Sequence, residues 1–414
     1  MALTRRGLTL PCITDVPGVL VGHAQDDAAL TGCTAVLTMG GAVAGVDVRG
    51  SAPGTRETDL MRPCNLVERV HAVMLAGGSA YGLDAACGAM QFLEERGVGF
   101  DTGFGVVPIV SAAVIFDLDI GDPKVRPDRW MGYAACAAAS ADPPAEGNAG
   151  AGLGATVGKA WGPQHAMKGG IGTWSVRLKR RGGDPEPVTV GALVVVNALG
   201  DVVDPGSGKI IAGAYDRGAR RFLQPGPGPA SDLCPGIGSS FSSSSGLSPS
   251  LSPSAGASAT SSAGPKSSFS CSFGCIASSG SGAESSCASS RAEADAGTRG
   301  PGAQPGSAGF RGFGGNTTLA VVATDARLDK EGANKVAQMA HDGLARVIRP
   351  VHTMYDGDVV FALSTGDKPF TGNKAADITV LGAAAADAVA TAILRAVRAA
   401  VAAAGVPAAR DVAV

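Results

Sequence analysis

Apolar residues follow two rhythms along this chain. Short runs of β-branched and small apolar residues at 35–39, 72–75 and 192–196 predict buried strands. The last run continues Val188-Thr189-Val190, which lengthens the same strand. Elsewhere the spacing is helical. Leu83, Cys87, Met90 and Leu93 predict a helix over 83–96, and Gly97 is a suitable stop. An Ala-rich stretch predicts a second helix over 133–141. Both rhythms vanish over 225–312, where Ser, Gly, Ala and Pro dominate and Lys266 and Glu284 are the only charges between Ser239 and Ser290. Such a tract buries too little apolar surface to offset its ordering entropy, so a disordered insertion is expected. The pattern returns at Thr317 as a strand over 317–324, a helix over 330–348, a strand over 358–364 and a long helix over 376–404. These two strands are too apolar to stand exposed. Residues 1–224 and 317–414 are therefore expected to build one domain together.

Composition narrows the class. Charged residues are 17%, aromatics 5%, and 61 of 414 residues are Gly, which suits a close-packed enzyme core. A net charge of −2 gives no reason to expect nucleic acid or a membrane surface as partner. Cys12, Cys33, Cys64, Cys87 and Cys136 stand singly, and Cys234, Cys271, Cys275 and Cys287 fall in the low-complexity tract. No His neighbours Cys271 and Cys275, so no metal is expected, and reduced cytoplasmic thiols are. Arg5-Arg6 precedes no apolar core of signal-peptide length, so no secretion signal is expected. The apolar stretch 378–404 is Ala-rich and broken by Asp387, Arg395 and Arg398, which favours a buried amphipathic helix over a membrane span.

Gly-rich motifs invite cofactor readings that fail on detail. Gly154-Ala155-Thr156-Val157-Gly158-Lys159-Ala160 lacks both the leading Gly and the final Ser or Thr of a phosphate loop. No strand precedes Gly150-Ala151-Gly152-Leu153-Gly154, so no dinucleotide site is expected, and no cofactor is. Gly77-Gly78-Ser79-Ala80-Tyr81-Gly82 has the setting of a nucleophile elbow, with the second Gly one residue late. His341 or His352 would have to serve Ser79, and the plainer expectation is Ser79 as a helix N-cap.

Gly314-Gly315-Asn316-Thr317 carries a sharper possibility. Thr317 opens a buried strand, and cutting the Asn316–Thr317 bond would set a free α-amine beside its hydroxyl. Nucleophile and base would then share one residue. The plainer alternative is a loop entering a core strand. Asp356 and Asp358, hinged by Gly357, read singly as an acidic turn. Lys168 among glycines reads as a solvated turn, and Asn197 as the end of a strand.

Together these residues resemble the DmpA-like family of self-processing aminopeptidases and amidases, which includes the NylC-type nylon-oligomer hydrolases. The likeness runs from Ile13-Thr14-Asp15-Val16-Pro17-Gly18 through Gly77-Gly78-Ser79, Lys168-Gly169-Gly170-Ile171-Gly172, Asn197 and Asn316-Thr317 to the last helix. It implies a four-layer αββα sandwich, self-cleavage between Asn316 and Thr317, and a homo-oligomer of processed heterodimers acting on small peptides or amides. It also implies roles: Thr317 as nucleophile, Asn197 as oxyanion donor, Asp356 and Asp358 orienting the nucleophile, and Lys168 as a site lysine. Aminopeptidase members resemble Gly-Glu-Thr plus an aromatic after a strand matching 106–110. Here Ser111-Ala112-Ala113-Val114 stands instead, so the acidic anchor for a substrate amine is absent. Hydrolysis of ω-amino-acid oligomers is the alternative within the family. An acyltransferase of the ornithine-acetyltransferase kind and a non-catalytic scaffold are alternatives outside it.

Overall fold

One long strand organises the molecule. In this computed structural model, which describes residues 10–179, 187–223, 315–368 and 370–412, Thr31–Val48 is a single eighteen-residue strand. It belongs to a nine-stranded sheet made, among the described residues, of β1 (Leu20–Asp26), β2 (Thr31–Val48), β3 (Thr55–Arg56), β4 (Arg69–Ala76), β5 (Val110–Val114), β6 (Gly170–Leu178), β7 (Val188–Asn197), β8 (Thr317–Ala326) and β9 (Val359–Lys368). The order is β6-β7-β8-β9-β2-β4-β5-β3, with β1 also on β2. The tract 225–312 and Arg5-Arg6 lie outside the described residues.

β2 serves two half-sheets. Its residues 33–37 and 42–43 pair with β4, its residues 43–48 pair with β9, and the register on β4 shifts between Leu37 and Ala42. Gly40-Gly41 sits in that shift, and Gly41 has φ 72°, a backbone state that suits glycine. Side chains alternate along each strand, so each half-sheet has two apolar faces. Val36, Val73 and Leu75 of one half meet Leu193, Val195, Leu319, Val321 and Phe361 of the other in a central core. Cys33, Leu37, Met74 and Val114 point the other way, onto α1 (Ala85–Glu94) and α2 (Arg129–Ala137). Val194, Val196, Ala320, Val322 and Val360 pack on α3 (Lys330–Val347) and α4 (Lys374–Ala399). Three cores between helix, sheet, sheet and helix make a four-layer αββα sandwich.

α4 is long and apolar enough to cross a membrane by length and composition, yet 67% of its most apolar window is buried within the fold. Several local expectations need correction. The second helix starts at Arg129, because Asp128 caps it by accepting from the Met131 N–H, and it ends at Ala137. Ser79 is not an N-cap: a 3-10 turn, Ser79–Asp84, precedes α1, and Ser79 itself has φ 54°. The strand before Ser111 is only the two residues Val106–Val107, and Ser111 to Val114 themselves form most of β5, all buried.

Candidate active site

The strand register builds the site. β7 and β8 are antiparallel, and Asn197, the last residue of β7, faces Thr317, the first of β8. β9 runs parallel to β8, so the loop entering β9 arrives at the same edge and Asp356 bridges Asn316. All of these side chains are buried, Asn197 and Asp358 completely. A pocket of about 280 Å³ opens onto Thr317, lined by Pro53, Ser79, Val114, Ile115, Phe116 and Tyr355 among others.

Within it the Asn316–Thr317 peptide is held closely. The Thr317 hydroxyl donates to the Asn316 carbonyl oxygen at 2.5 Å. The Gly357 N–H donates to that same oxygen at 2.8 Å. Only glycine fits there, because a Cβ on residue 357 would stand 2.7 Å from Thr317 Oγ1. The carbonyl one residue earlier, on Gly315, accepts from Asn197 Nδ2 at 3.0 Å and from Lys159 Nζ at 3.1 Å. Asn197 is itself fixed by Thr156 N–H and Lys159 Nζ, each 3.0 Å from its Oδ1.

The two carboxylates act on neighbours of Thr317. Asp358 Oδ1 accepts from the Thr318 N–H at 2.6 Å, and its Oδ2 accepts from His352 N–H at 3.1 Å and His352 Nδ1 at 2.8 Å. Asp356 accepts from the Leu199 N–H and from the N–H and hydroxyl of Thr353. Burial, and then the charge of Asp358, raise the Asp356 carboxyl above the usual range.

Lys168 is buried, not a solvated turn. Its amine donates to the carbonyls of Leu153 and Ala155, both at 2.7 Å, just behind the Thr156 N–H that holds Asn197. Burial brings it down to about 7. Lys159 is the lysine that touches Asn197, and burial lowers it to about 8 against the pull of Asp119, Asp356 and Asp117. Ser79 lines the pocket, but neither candidate histidine reaches it. His352 is engaged with Asp358, and His341 Nε2 contacts the Asp47 carbonyl. Sequence reasoning missed Lys159, His352 as partner of Asp358, and the Gly357 N–H. A lysine inside the small apolar run Val157-Gly158-Lys159-Ala160 was the one available signal, since lysine is seldom buried without a partner.

Comparison with known proteins bears on the family and the fold. The sequence profile of peptidase family S58 matches residues 11–410. An uncharacterized aminopeptidase of Mycobacterium tuberculosis is 40% identical, with 96% of this chain and 97% of that protein covered. The 6-aminohexanoate-oligomer endohydrolase of Kocuria sp. is 29% identical, covering 93% and 85%. Among solved structures, the L-aminopeptidase D-Ala-esterase/amidase of Ochrobactrum anthropi, described as a variant of the Ntn-hydrolase fold, superposes with a TM-score of 0.58 at 18% identity, covering 95% and 88%. A Burkholderia sp. β-aminopeptidase gives 0.55 at 22%, covering 96% and 90%.

Proposed function

This chain belongs to peptidase family S58, the DmpA-like family, and is a hydrolase of peptide or amide bonds; from that premise we propose that it cuts itself before Thr317 and then uses Thr317 as its nucleophile. One observation carries the reading: the Thr317 hydroxyl lies 2.5 Å from the carbonyl oxygen of the bond to be cut, which also accepts the Gly357 N–H. That N–H draws electron density from the carbonyl and is placed to hold an oxyanion.

The chemistry balances simply. Thr317 Oγ attacks the Asn316 carbonyl carbon, the C–N bond breaks, and the hydroxyl proton passes to the departing nitrogen. The resulting ester takes up water, leaving an Asn316 carboxylate and a free Thr317 amine. In turnover that amine, ordinarily with a pKa of about 7.7–8.0, accepts the hydroxyl proton as Oγ attacks a substrate amide. Asn197 donates to the new oxyanion, and water frees the acyl group. Asp358 holds the backbone of Thr318, so it fixes the direction in which Thr317 points.

The substrate is a small peptide or amino-acid amide. A second reading, hydrolysis of ω-amino-acid oligomers, is favoured by one feature: no Asp or Glu stands among the described residues that line the pocket. Such a wall offers no counter-charge to a substrate α-amine. The working form is read as a cytoplasmic homo-oligomer of two-chain protomers. The test is an amide-derived acylating probe, mapped by peptide mass. The label is expected on the peptide that begins at Thr317. A label on Ser79, with Thr317→Ala still active, would overturn the assignment.

A further inference from the structure

We propose that His352 is a positioning residue for Thr317: it fixes the Asp358 carboxylate from behind, and Asp358 in turn fixes the strand on which Thr317 stands. The inference rests on the reading that Thr317 is the nucleophile.

Asp358 sits between two partners. Its Oδ1 accepts from the Thr318 N–H at 2.6 Å. Its Oδ2 accepts twice from His352, from the backbone N–H at 3.1 Å and from ring Nδ1 at 2.8 Å. A carboxylate only accepts there, so Nδ1 carries the proton. The carboxylate therefore cannot turn away from Thr318 without losing both contacts to His352. Asp358 is completely buried, so bulk water offers it no substitute.

The backbone at His352 is bent to this use. Its φ is 56°, a left-handed state that is uncommon outside glycine. Such a conformation persists where its surroundings enforce it, and it clusters at functional sites. The ring is not there for packing alone. Among the described residues, its buried Nε2 has no hydrogen-bond partner. An unpartnered buried nitrogen costs free energy that an apolar side chain in the same space would avoid. Beside it stands His341 of α3, completely buried, with its ring edge to face on His352 at 4.8 Å. His341 is tied through Nε2 to the Asp47 carbonyl at 3.0 Å, and burial brings it down to about 4, so it is a neutral wall. That wall backs the His352 ring while Nδ1 faces Asp358. A misplacement of about 1 Å costs roughly 10²-fold in rate, so loss of this brace belongs in the range of about 10- to 100-fold.

Substitutions that share a backbone preference separate the hydrogen bond from the fold. Asn and Asp both tolerate the left-handed state and are nearly equal in size. The Asn amide can donate where Nδ1 does, whereas an Asp carboxylate only accepts and repels Asp358. Self-cleavage is followed on denaturing gels after a brief label in cell-free synthesis. Then kcat and KM for an amino-acid p-nitroanilide are taken per cut chain, and a variant that stays uncut is judged on cleavage alone. His352→Asn is expected to lose less than about fivefold in either rate. His352→Asp is expected to lose about 10- to 100-fold, in kcat rather than KM. His352→Gly relaxes the backbone but leaves no donor, so it is expected to be as slow as His352→Asp. Added to Asp358→Ala, His352→Gly is expected to cost nothing further, because its effect passes through that carboxylate. Equal rates for His352→Asn and His352→Asp would overturn the proposal, and so would a full loss from His352→Gly on top of Asp358→Ala. Should His352→Asp be insoluble, His352→Asn against His352→Gly decides by the same rule. A wild-type chain that never cuts, or Thr317→Ala that does, strikes the underlying reading instead.

Discussion

At the scale of single residues, the account turns on where hydroxyl, amide and carboxylate stand relative to one peptide bond. Thr317→Ala is expected to abolish both cleavage and turnover, and Thr317→Ser to keep a measurable part of each, because oxygen and nitrogen persist. Gel analysis with an amide hydrolysis assay checks the pair. Asp358→Ala removes the acceptor for the Thr318 N–H and for His352 together. Its kcat, counted per cut chain, is expected to fall by about 10²-fold with a smaller change in KM, because orientation rather than binding is lost. Thr317, Asn197, Asp356 and Asp358 each mark a local event in the sequence, a strand opening, a strand end or a hinge before a strand, but singly they read as plain structure, and only the family resemblance groups them into one site. Lys159 and His352 were not legible in their contacts. Lys159 meets Gly315 across 156 positions in the chain, and no local spacing encodes such a contact. Lys168 was legible as a residue of note but not in its placement. It supports the carbonyls of Leu153 and Ala155, next to the segment that fixes Asn197.

Among elements, the strands were read more faithfully than the helices. A strand buried on both faces writes itself as an unbroken apolar run, as Leu193 and Val195 on one face and Val194 and Val196 on the other demonstrate. Helix boundaries depend on caps and close approaches that composition hides. The turn at Ser79–Asp84 is tight because a Cβ on Gly82 would meet the Gly77 carbonyl oxygen at 1.8 Å. α1 and α2 touch through glycines: a Cβ on Gly132 would lie 1.9 Å from the Ala85 carbonyl oxygen. Gly132→Ala is therefore expected to push the two helices apart and cost about 1–3 kcal/mol, read as a lower urea midpoint with an unchanged slope. The bend of β2 at Gly40-Gly41 escaped the sequence reading, which placed only one short strand there. Its meaning appears only when β1 takes residues 31–37 of β2 and β9 takes residues 43–48.

The whole molecule depends on one sheet that draws on both sides of the long tract. β8 lies between β7 and β9, and β9 pairs with β2, so the residues before 224 and after 314 share their cores. Deleting 240–300 is expected to leave soluble, active protein, checked by expression yield and turnover. Stability also carries a pH signature. Burial lifts the Asp201 carboxyl to about 7. The folded chain then holds a proton that the unfolded chain has released between about pH 4 and pH 7, so this contribution is full below pH 4 and is lost as pH rises through 7. Asp201→Asn is expected to flatten that decline in thermal melts taken across the same range. The αββα layering was legible through family resemblance, while the pattern of apolar runs alone called for buried strands without saying that the sheet faces itself. The cut is likewise a property of the entire chain, and it is the central claim. Intact-mass analysis of purified wild type after prolonged incubation tests it most directly. Two chains are predicted, ending at Asn316 and beginning at Thr317, whose masses sum to the full chain plus one water. A full-length chain that hydrolyses amides while remaining uncut would contradict the account.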